Sequence, residues 1–432
     1  MTELAPWMAP AAEGWERRRI RILGRTGSGS GFPPALQGQI DLDVPFYKVK
    51  HLGQANPMGI LGTADDTISY ETAESLGATV FPEGTLVYAK VGAALMLGRV
   101  RVLPVAACMD NNMAGLSPSE NVNARFLYWA MSQVKFDYLV NPGAVPSLSD
   151  RNLLDFPLLI PAHDEQCTIA DYLDRETARI DTLIEEQQCL IEMLRERRFA
   201  LRTHVALHGT ASAEEIESPL PWALMLPAHW RVVPLTSVAD LESGHTPSRS
   251  REDWWTDCHI PWVSLHDVGT MLGAKYLQDT AQHISDAGIA NSSARLLPAR
   301  TVVLSRDATV GRTAIMGIPM ATSQHFAAWV CGPLLDPEYL WVLFQDAMQP
   351  FFDSFQNGST IRTIGMGDLK AFRIPLPPLD EQRRIVAYLD DETAKIDALI
   401  AETERFIELS KERRAAVITA AVTGQIDVRE MV

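Results

Sequence analysis

Between Asp164 and Val205 the chain carries no proline or glycine, and apolar residues return at Ile169, Leu173, Ile180, Leu183, Leu190, Leu194 and Leu201. Steps of three, four and seven residues place them on one face of an α-helix. A second stretch has the same rhythm at Ile385, Leu389, Ile396, Leu399, Phe406 and Val417. At 1.5 Å rise, about 40 residues make a rod on the order of 60 Å long, which cannot bury its own stripe. Two such rods in one chain predict that the helices pack on each other, as an antiparallel coiled-coil pair related by a pseudo-twofold axis. The expected seam joins Ile169, Leu173, Ile180, Leu183, Leu190 and Leu194 to Ile385, Leu389, Ile396, Leu399 and Phe406. Pro161 and Pro377 precede the helices, Asp164 and Asp380 suit their first turns, and Gly209 and Gly424 end them.

The two helices belong to a repeat. FPLLIPAHDEQCTIADYLDRETARIDTLI, from Phe156, returns as FRIPLPPLDEQRRIVAYLDDETAKIDALI, from Phe372, an offset of 216. Asp164 to His204 and Asp380 to Ala420 share 22 identities in 41 positions, which marks a duplication. Fainter echoes precede each copy. Pro6, Trp7 and Trp15 match Pro221, Trp222 and Trp230; Pro45, Phe46 and Gly53 match Pro261, Trp262 and Gly269; Pro82, Thr85 and Lys90 match Pro298, Thr301 and Arg306.

The expected organisation is a globular domain over 1–160, a long helix over 161–208, a small, acidic, Pro-rich linker over 209–228, a second domain over 229–376, a second long helix over 377–424 and a tail over 425–432. Within the domains, TLVYAKV from Thr85 and TVVLSR from Thr301 read as strands. ARFLYWAMSQ from Ala124 and PEYLWVLFQD from Pro337 read as matching helices. The fold class is α+β.

Composition narrows the function. With 47% hydrophobic and 21% charged residues the chain is neither mainly disordered nor membrane-spanning. No apolar run of about 18 residues occurs, and the N-terminus lacks a basic segment followed by an apolar one. Five scattered cysteines, an odd number without a CxxC pair, suit a reducing cytoplasm and no structural zinc.

No catalytic or metal-binding constellation stands out. Gly27, Gly29 and Gly31 lack the GK[ST] ending of a phosphate loop, and Pro33 and Pro34 stand where its helix would start. Asn141-Pro142-Gly143 lacks the second proline and aromatic of an amino-methyltransferase turn. The histidines show no HExxH spacing, and there is no GxSxG elbow. The pattern is that of a binding module.

The net charge of −16 counts against nucleic acid when taken whole. By segment, 1–150 is nearly neutral with 12 basic and 14 acidic residues, and 151–216 carries 7 against 13. The basic residues of the first domain cluster at Arg17, Arg18, Arg19, Arg21 and Arg25, at Lys48, Lys50 and His51, and at Arg99 and Arg101. The second domain has Arg249, Arg251, His266, Arg306, Arg312 and Arg362. An acidic chain with locally basic faces can still bind DNA.

The repeated IPLPPLDEQRRIVAYLDDETAKIDALI, the IPWVSLHDVG segment after SGHTPS, LSRDATVGRTAIMG followed by ATSQHFAAWV, the NGSTIRTIGMGDL turn and the ending AAVTGQIDVR together resemble the specificity subunit of type I restriction–modification systems. GSGFPPALQG and PFYKVKHLG extend the resemblance to the first domain. It covers essentially the whole chain. The family implies a chain without catalysis of its own, in which each globular domain is a target recognition domain reading one half of a split site in double-stranded DNA. The paired helices then serve as spacer and dock for modification subunits, two of them, which use S-adenosylmethionine. Restriction and translocase subunits bring ATP and Mg, so this chain itself holds no cofactor, and no membrane is involved. The resemblance directs attention to Lys48, Lys50, His51 and Lys90 in the first domain and to Thr246, Ser264, His266, Arg306, Ser359, Thr360 and Arg362 in the second. The first domain departs from the pattern at NPGAVPSLS, which lacks GSTIRTIG. Competing readings are a coiled-coil adaptor for methyltransferase-like partners that does not bind DNA, and a self-sufficient methyltransferase.

Overall fold

A computed structural model describes residues 12–141, 143–355 and 363–430. The chain divides into two compact units. The described residues up to Cys189 and from Thr403 onward form one, and Leu190–Glu402 form the other. Each unit therefore holds one globular domain with parts of both long helices.

In the first unit Glu16–Arg19 pairs antiparallel with Pro157–Ile160, bringing the two ends of the domain together. Gly24–Ser28, Met113–Pro118, Leu86–Ala89 and Arg101–Val102 form a four-stranded antiparallel sheet in that order, and Val44–Tyr47 lies between Thr67–Ile68 and Cys108–Met109 in a second, three-stranded one. Helix Ala124–Ser132, capped by the Asn123 side chain on Phe126 N–H, buries six consecutive residues from Phe126 to Met131.

The second unit repeats this plan with different residues. Arg231–Pro234 pairs with Arg373–Leu376. Ala239–Ser243, Phe326–Cys331, Val302–Ser305, Thr313–Met316 and Tyr276–Leu277 form a five-stranded sheet, and Ile260–Val263 lies between His283–Ile284 and Ala321–Thr322. Small details return as well. Thr85 donates its hydroxyl to Pro82 O and Thr301 to Pro298 O, both at 2.7 Å, so the faint sequence echo marks one local structure made twice.

The long helices span His163–His208 and Leu379–Val422. Each is fastened at its start by a buried glutamine. Gln166 accepts Asn123 N–H (2.9 Å) and donates to Pro161 O (3.0 Å), while Gln382 accepts Asp336 N–H (2.8 Å) and donates to Pro377 O (2.8 Å). A tryptophan holds the same first turn: Trp15 donates to Glu165 and Trp230 to Glu381, both at 3.1 Å. In the first unit Ile169 and Leu173 share a core with Ile418, Ala421 and Val422 near the end of the second helix. In the second unit Ile385 and Leu389 share one with Val205, Ala206 and Leu207 near the end of the first.

Three expectations need correction. The buried stripe runs through Leu173, Thr177, Ile180, Ile184, Ile191 and Leu194 and through Leu389, Thr393, Ile396, Ile400, Thr403, Ile407 and Ser410. Leu183 and Leu190 lie beside it, half-buried, and Leu399 and Phe406 are 50% and 42% exposed. Alternating steps of three and four keep the phase only if polar Thr177, Thr393, Thr403 and Ser410 occupy buried positions. The segment 209–228 is more than a linker: Glu215–Leu220 and Ala223–Pro227 form an antiparallel hairpin that buries Leu220, Ala223 and Leu226. A register shift between Glu217 and Leu220 accommodates Pro219, which has no N–H for the ladder. The tail does not hang free, because Val428 is buried in the first unit's core.

Candidate nucleic-acid interface

In each unit the two sheets meet at an edge built from five chain segments. In the first, the chain leaves Cys108–Met109, turns through Asp110, Asn111 and Asn112, and returns as Met113–Pro118. The loop after Ser28 crosses this turn, with Ser30 N–H donating to Met109 O (2.9 Å). A Cβ at Gly29 would fall 1.9 Å from Asp110 O, so the position admits only glycine. Asp110 N–H donates to Tyr47 O (2.9 Å), and its carboxylate accepts Val49 N–H (3.1 Å) and Asn112 N–H (2.8 Å). Lys90 N–H donates to Asn112 O and Leu148 N–H to Lys90 O, both at 2.7 Å.

The second unit makes the same backbone bonds with other residues. His245 N–H donates to Thr322 O (3.0 Å), Ser323 N–H to Val263 O (2.8 Å), Arg306 N–H to His325 O (2.9 Å) and Ile364 N–H to Arg306 O (2.8 Å). A Cβ at Gly244 would fall 1.8 Å from Thr322 O. Lys90 and Arg306 thus occupy equivalent places, as do Asn111 and Gln324. Of the Gly-rich run, Gly29 serves the close backbone crossing, Gly27 makes room for the Phe81 ring, and a Cβ at Gly31 would meet nothing within 4 Å.

The side chains at the two edges differ. Lys48 binds Asp66 (2.7 Å) and Gln37 (3.0 Å) and lies over the Phe32 ring, which stacks on Phe46 at 3.9 Å. In the second unit Arg249 lies over Trp255, beside Trp262 at the place of Phe46. Lys50 is ion-paired to Asp65, which raises the pKa of the lysine and lowers that of the acid. Burial pushes the Asp66 carboxyl up, but the Lys48 hydrogen bond and the Gly38 amide outweigh it and leave the group below its ordinary value. Lys90 donates to Ser28 (2.9 Å).

Two sequence candidates do not face outward. His51 is 2% exposed; its Nδ1 accepts Lys48 N–H (2.8 Å) and closes the turn Val49–Gly53, while Nε2 lies 3.3 Å from Asp65 without hydrogen-bond geometry. Ser264 is buried as the cap of Leu265–Asp267, with its N–H on the Asp267 carboxylate (2.8 Å). Both hold a turn and are too enclosed to touch a base. His266 is exposed beside Ser264. Thr246 donates to Gln324 Oε1 (2.5 Å), and Arg306 Nε donates to Ile364 O (3.1 Å). Asp307 binds His325 Nδ1 at 3.1 Å. Ser359, Thr360 and Arg362 lie outside the described residues, next to Thr363, which bridges Asp307. Asn111 and Gln324 escaped the sequence reading because a turn amide looks ordinary until its strand neighbours are known, and His325 offered only a lone histidine without ligand spacing.

The basic run after Trp15 is partly neutralised: Arg18 pairs with Glu16, and Arg19 and Arg21 with Asp155. Among the described residues no cluster of three or more His, Cys, Asp or Glu could hold a metal ion, and no helix is long and apolar enough to cross a membrane.

Such a chain is a duplicated binding protein, with one scaffold made twice and a different set of side chains on each edge. The family model for the type I restriction modification DNA specificity domain matches residues 13–193 and again 227–408, and the chain belongs to this family, the non-catalytic DNA-recognition component of type I systems. It is 28% identical over 170 residues to the type I restriction enzyme MjaIX specificity subunit of Methanocaldococcus jannaschii, covering 38% of this chain and 39% of that one. It is 24% identical over 175 residues to the EcoR124I/EcoR124II specificity subunit of Escherichia coli, covering 39% and 42%. The match thus spans about two-fifths of these relatives. The fold matches the HsdS subunit from Thermoanaerobacter tengcongensis over 97% of this chain and 99% of that one, with a TM-score of 0.65 at 18% identity. A chain from a study of complex assembly and conformational transition of the type I R-M system matches over 97% and 100%, with a TM-score of 0.72 at 16% identity.

Proposed function

We propose that the chain reads a bipartite, asymmetric site in double-stranded DNA, one globular domain per half, and carries two modification subunits on its long helices. The observation that carries this reading is the equivalence of the two edges. The same five segments are held by the same backbone bonds, while the side chains differ, with Lys50 and Lys90 on one edge replaced by His266 and Arg306 on the other. One scaffold with two chemistries suits two different short words.

The helices, by contrast, keep 22 of 41 positions, as binding one identical partner twice would require. Exposed Met193, Leu399, Phe406 and Leu409 give them apolar surface beyond the stripe they bury. In this reading the helices form an antiparallel coiled coil with a pseudo-twofold axis and set the gap between half-sites. Restriction subunits would join the assembly. S-adenosylmethionine, ATP and Mg would sit on the partner subunits.

Exchanging residues 1–160 for the same region of a relative tests the reading. Methylome sequencing of cells carrying the exchanged chain with its modification subunits should show one half of the methylated motif changed and the other kept. Both halves unchanged would overturn the modular reading. Absence of any site-specific footprint with the partners present would favour the adaptor instead.

A further inference from the structure

Asn111 and Gln324 stand at the tips of equivalent turns. Each turn joins a short strand of the three-stranded sheet to a long strand of the larger one, Cys108–Met109 to Met113–Pro118 and Ala321–Thr322 to Phe326–Cys331. Both tip residues are exposed, and backbone bonds hold both turns on two sides: Asp110 to Tyr47 with Lys90 to Asn112, and Ser323 to Val263 with Arg306 to His325. Lys90 and Arg306 keep a cation at their shared place, but four other edge positions change between the domains, Lys48 to Ser264, Lys50 to His266, Asp110 to Ser323 and Asn112 to His325. The tip remains a carboxamide.

The cations around these tips each have an internal partner. Lys48 is bound to Asp66 and Gln37, Lys50 to Asp65, and Arg306 Nε to a carbonyl. Asn111 makes no side-chain hydrogen bond to the described residues, and Gln324, whose Oε1 accepts from Thr246 and whose Nε2 hydrogen-bonds His325 Nε2 at 3.3 Å, keeps one Oε1 lone pair and one Nε2 hydrogen for a ligand. Resting on the DNA-reading function above, we propose that Asn111 and Gln324 are specificity-determining residues, each reading an adenine in its own half-site.

A carboxamide presents one acceptor and one donor in a planar fork, which matches adenine N6–H and N7 in the major groove. Guanine offers two acceptors there and leaves the amide oxygen facing O6. Thr246 acts as a positioning residue, and His325, held by Asp307, backs the amide from the other side.

The test uses the full chain assembled with its modification subunits. Methylome sequencing should show that Gln324→Ala relaxes one A·T position in one half by roughly tenfold to a hundredfold, the worth of one bidentate contact, and leaves the other half intact. Asn111→Ala should do the same in the opposite half. Thr246→Val should give a smaller relaxation at the Gln324 position, and Thr246→Ser none. Replacing the read adenine by 7-deazaadenine should weaken the native chain about tenfold and the Gln324→Ala chain no further. Gln324→Glu and Asn111→Asp keep the shape and carry the test if the alanine chains fail to assemble; they should turn preference away from A·T. If the native chain reads no bipartite site, the proposed function falls. If it does read one, and the variants keep its motif or lose both halves together, this inference falls alone.

Discussion

Arg414 grips Asp181 with two hydrogen bonds, Nε to Oδ1 at 2.8 Å and Nη2 to Oδ2 at 3.0 Å. The residues 216 positions away, Arg198 and Asp397, form the same pair with the helices exchanged. The aspartate of each repeat copy is thus held by the arginine of the other. Both members of the first pair are mostly shielded from water, so it should be worth more than an exposed ion pair. Arg414→Ala should lower stability by about 1 kcal/mol in chemical denaturation. Exchanging the two residues, Arg414→Asp with Asp181→Arg, should recover part of the loss, and a double-mutant cycle should show coupling.

The helices were legible in the sequence because nothing interrupts 41 repeated positions. Their phase was not. Leu183 and Ile184 are adjacent and both apolar, and only the buried polar residues Thr177 and Thr393 decide which of the two continues the stripe. The two domain edges were partly legible. Lys48, Lys90 and Arg306 declared themselves by charge, whereas Asn111 and Gln324 are 213 residues apart and fall out of register with the 216 of the helices. Only the strand pairing Ser28 to Ala114 and Ser243 to Ala327 puts them at one place.

The corrected stripe has a direct consequence for stability. Ile184→Ala and Ile400→Ala should each cost about 2–4 kcal/mol, the range for a buried aliphatic truncated in a packed core. Leu183→Ala and Leu399→Ala should cost less than about 1 kcal/mol. Equal losses at the paired positions in urea denaturation would contradict the observed phase.

At Gly29 and Gly244 the new methyl of an alanine would meet backbone, which cannot rotate away as a side chain can. Gly29→Ala and Gly244→Ala should each destabilise by about 1–3 kcal/mol. Each should also displace one reading edge only. In a binding assay with the modification subunits, Gly29→Ala should weaken discrimination in one half-site and Gly244→Ala in the other.

Asp66 gives the first edge an acid-sensitive clasp. Its pKa is depressed in the fold, so the ionised form is the one folding favours. The stability it contributes is fully present above the ordinary carboxylate value of about 4 and disappears as the pH falls through the depressed folded value. Asp66→Asn should therefore flatten the acid side of the stability profile of the first unit, followed by thermal unfolding between pH 2 and 6 (roughly the window spanned by such groups).

Asp346 has the opposite sign. Burial pushes its carboxyl up, and Arg202, 2.8 Å away, does not fully offset this. Between the ordinary value and the raised one the folded state binds more protons than the unfolded state, so the group's contribution to stability falls as pH rises through that window. The arginine is awkwardly placed too: Nη2 is buried without a partner, and the guanidinium lies 5.0 Å from the centre of the Trp341 ring. Removing either charge strands the other. Asp346→Leu alone or Arg202→Met alone should cost about 3–5 kcal/mol, whereas the double replacement should come close to the native stability or exceed it. If the double variant lost as much as the sum of the singles in equilibrium denaturation, the two groups would be uncoupled, and the stranded-charge reading of this pair would be wrong.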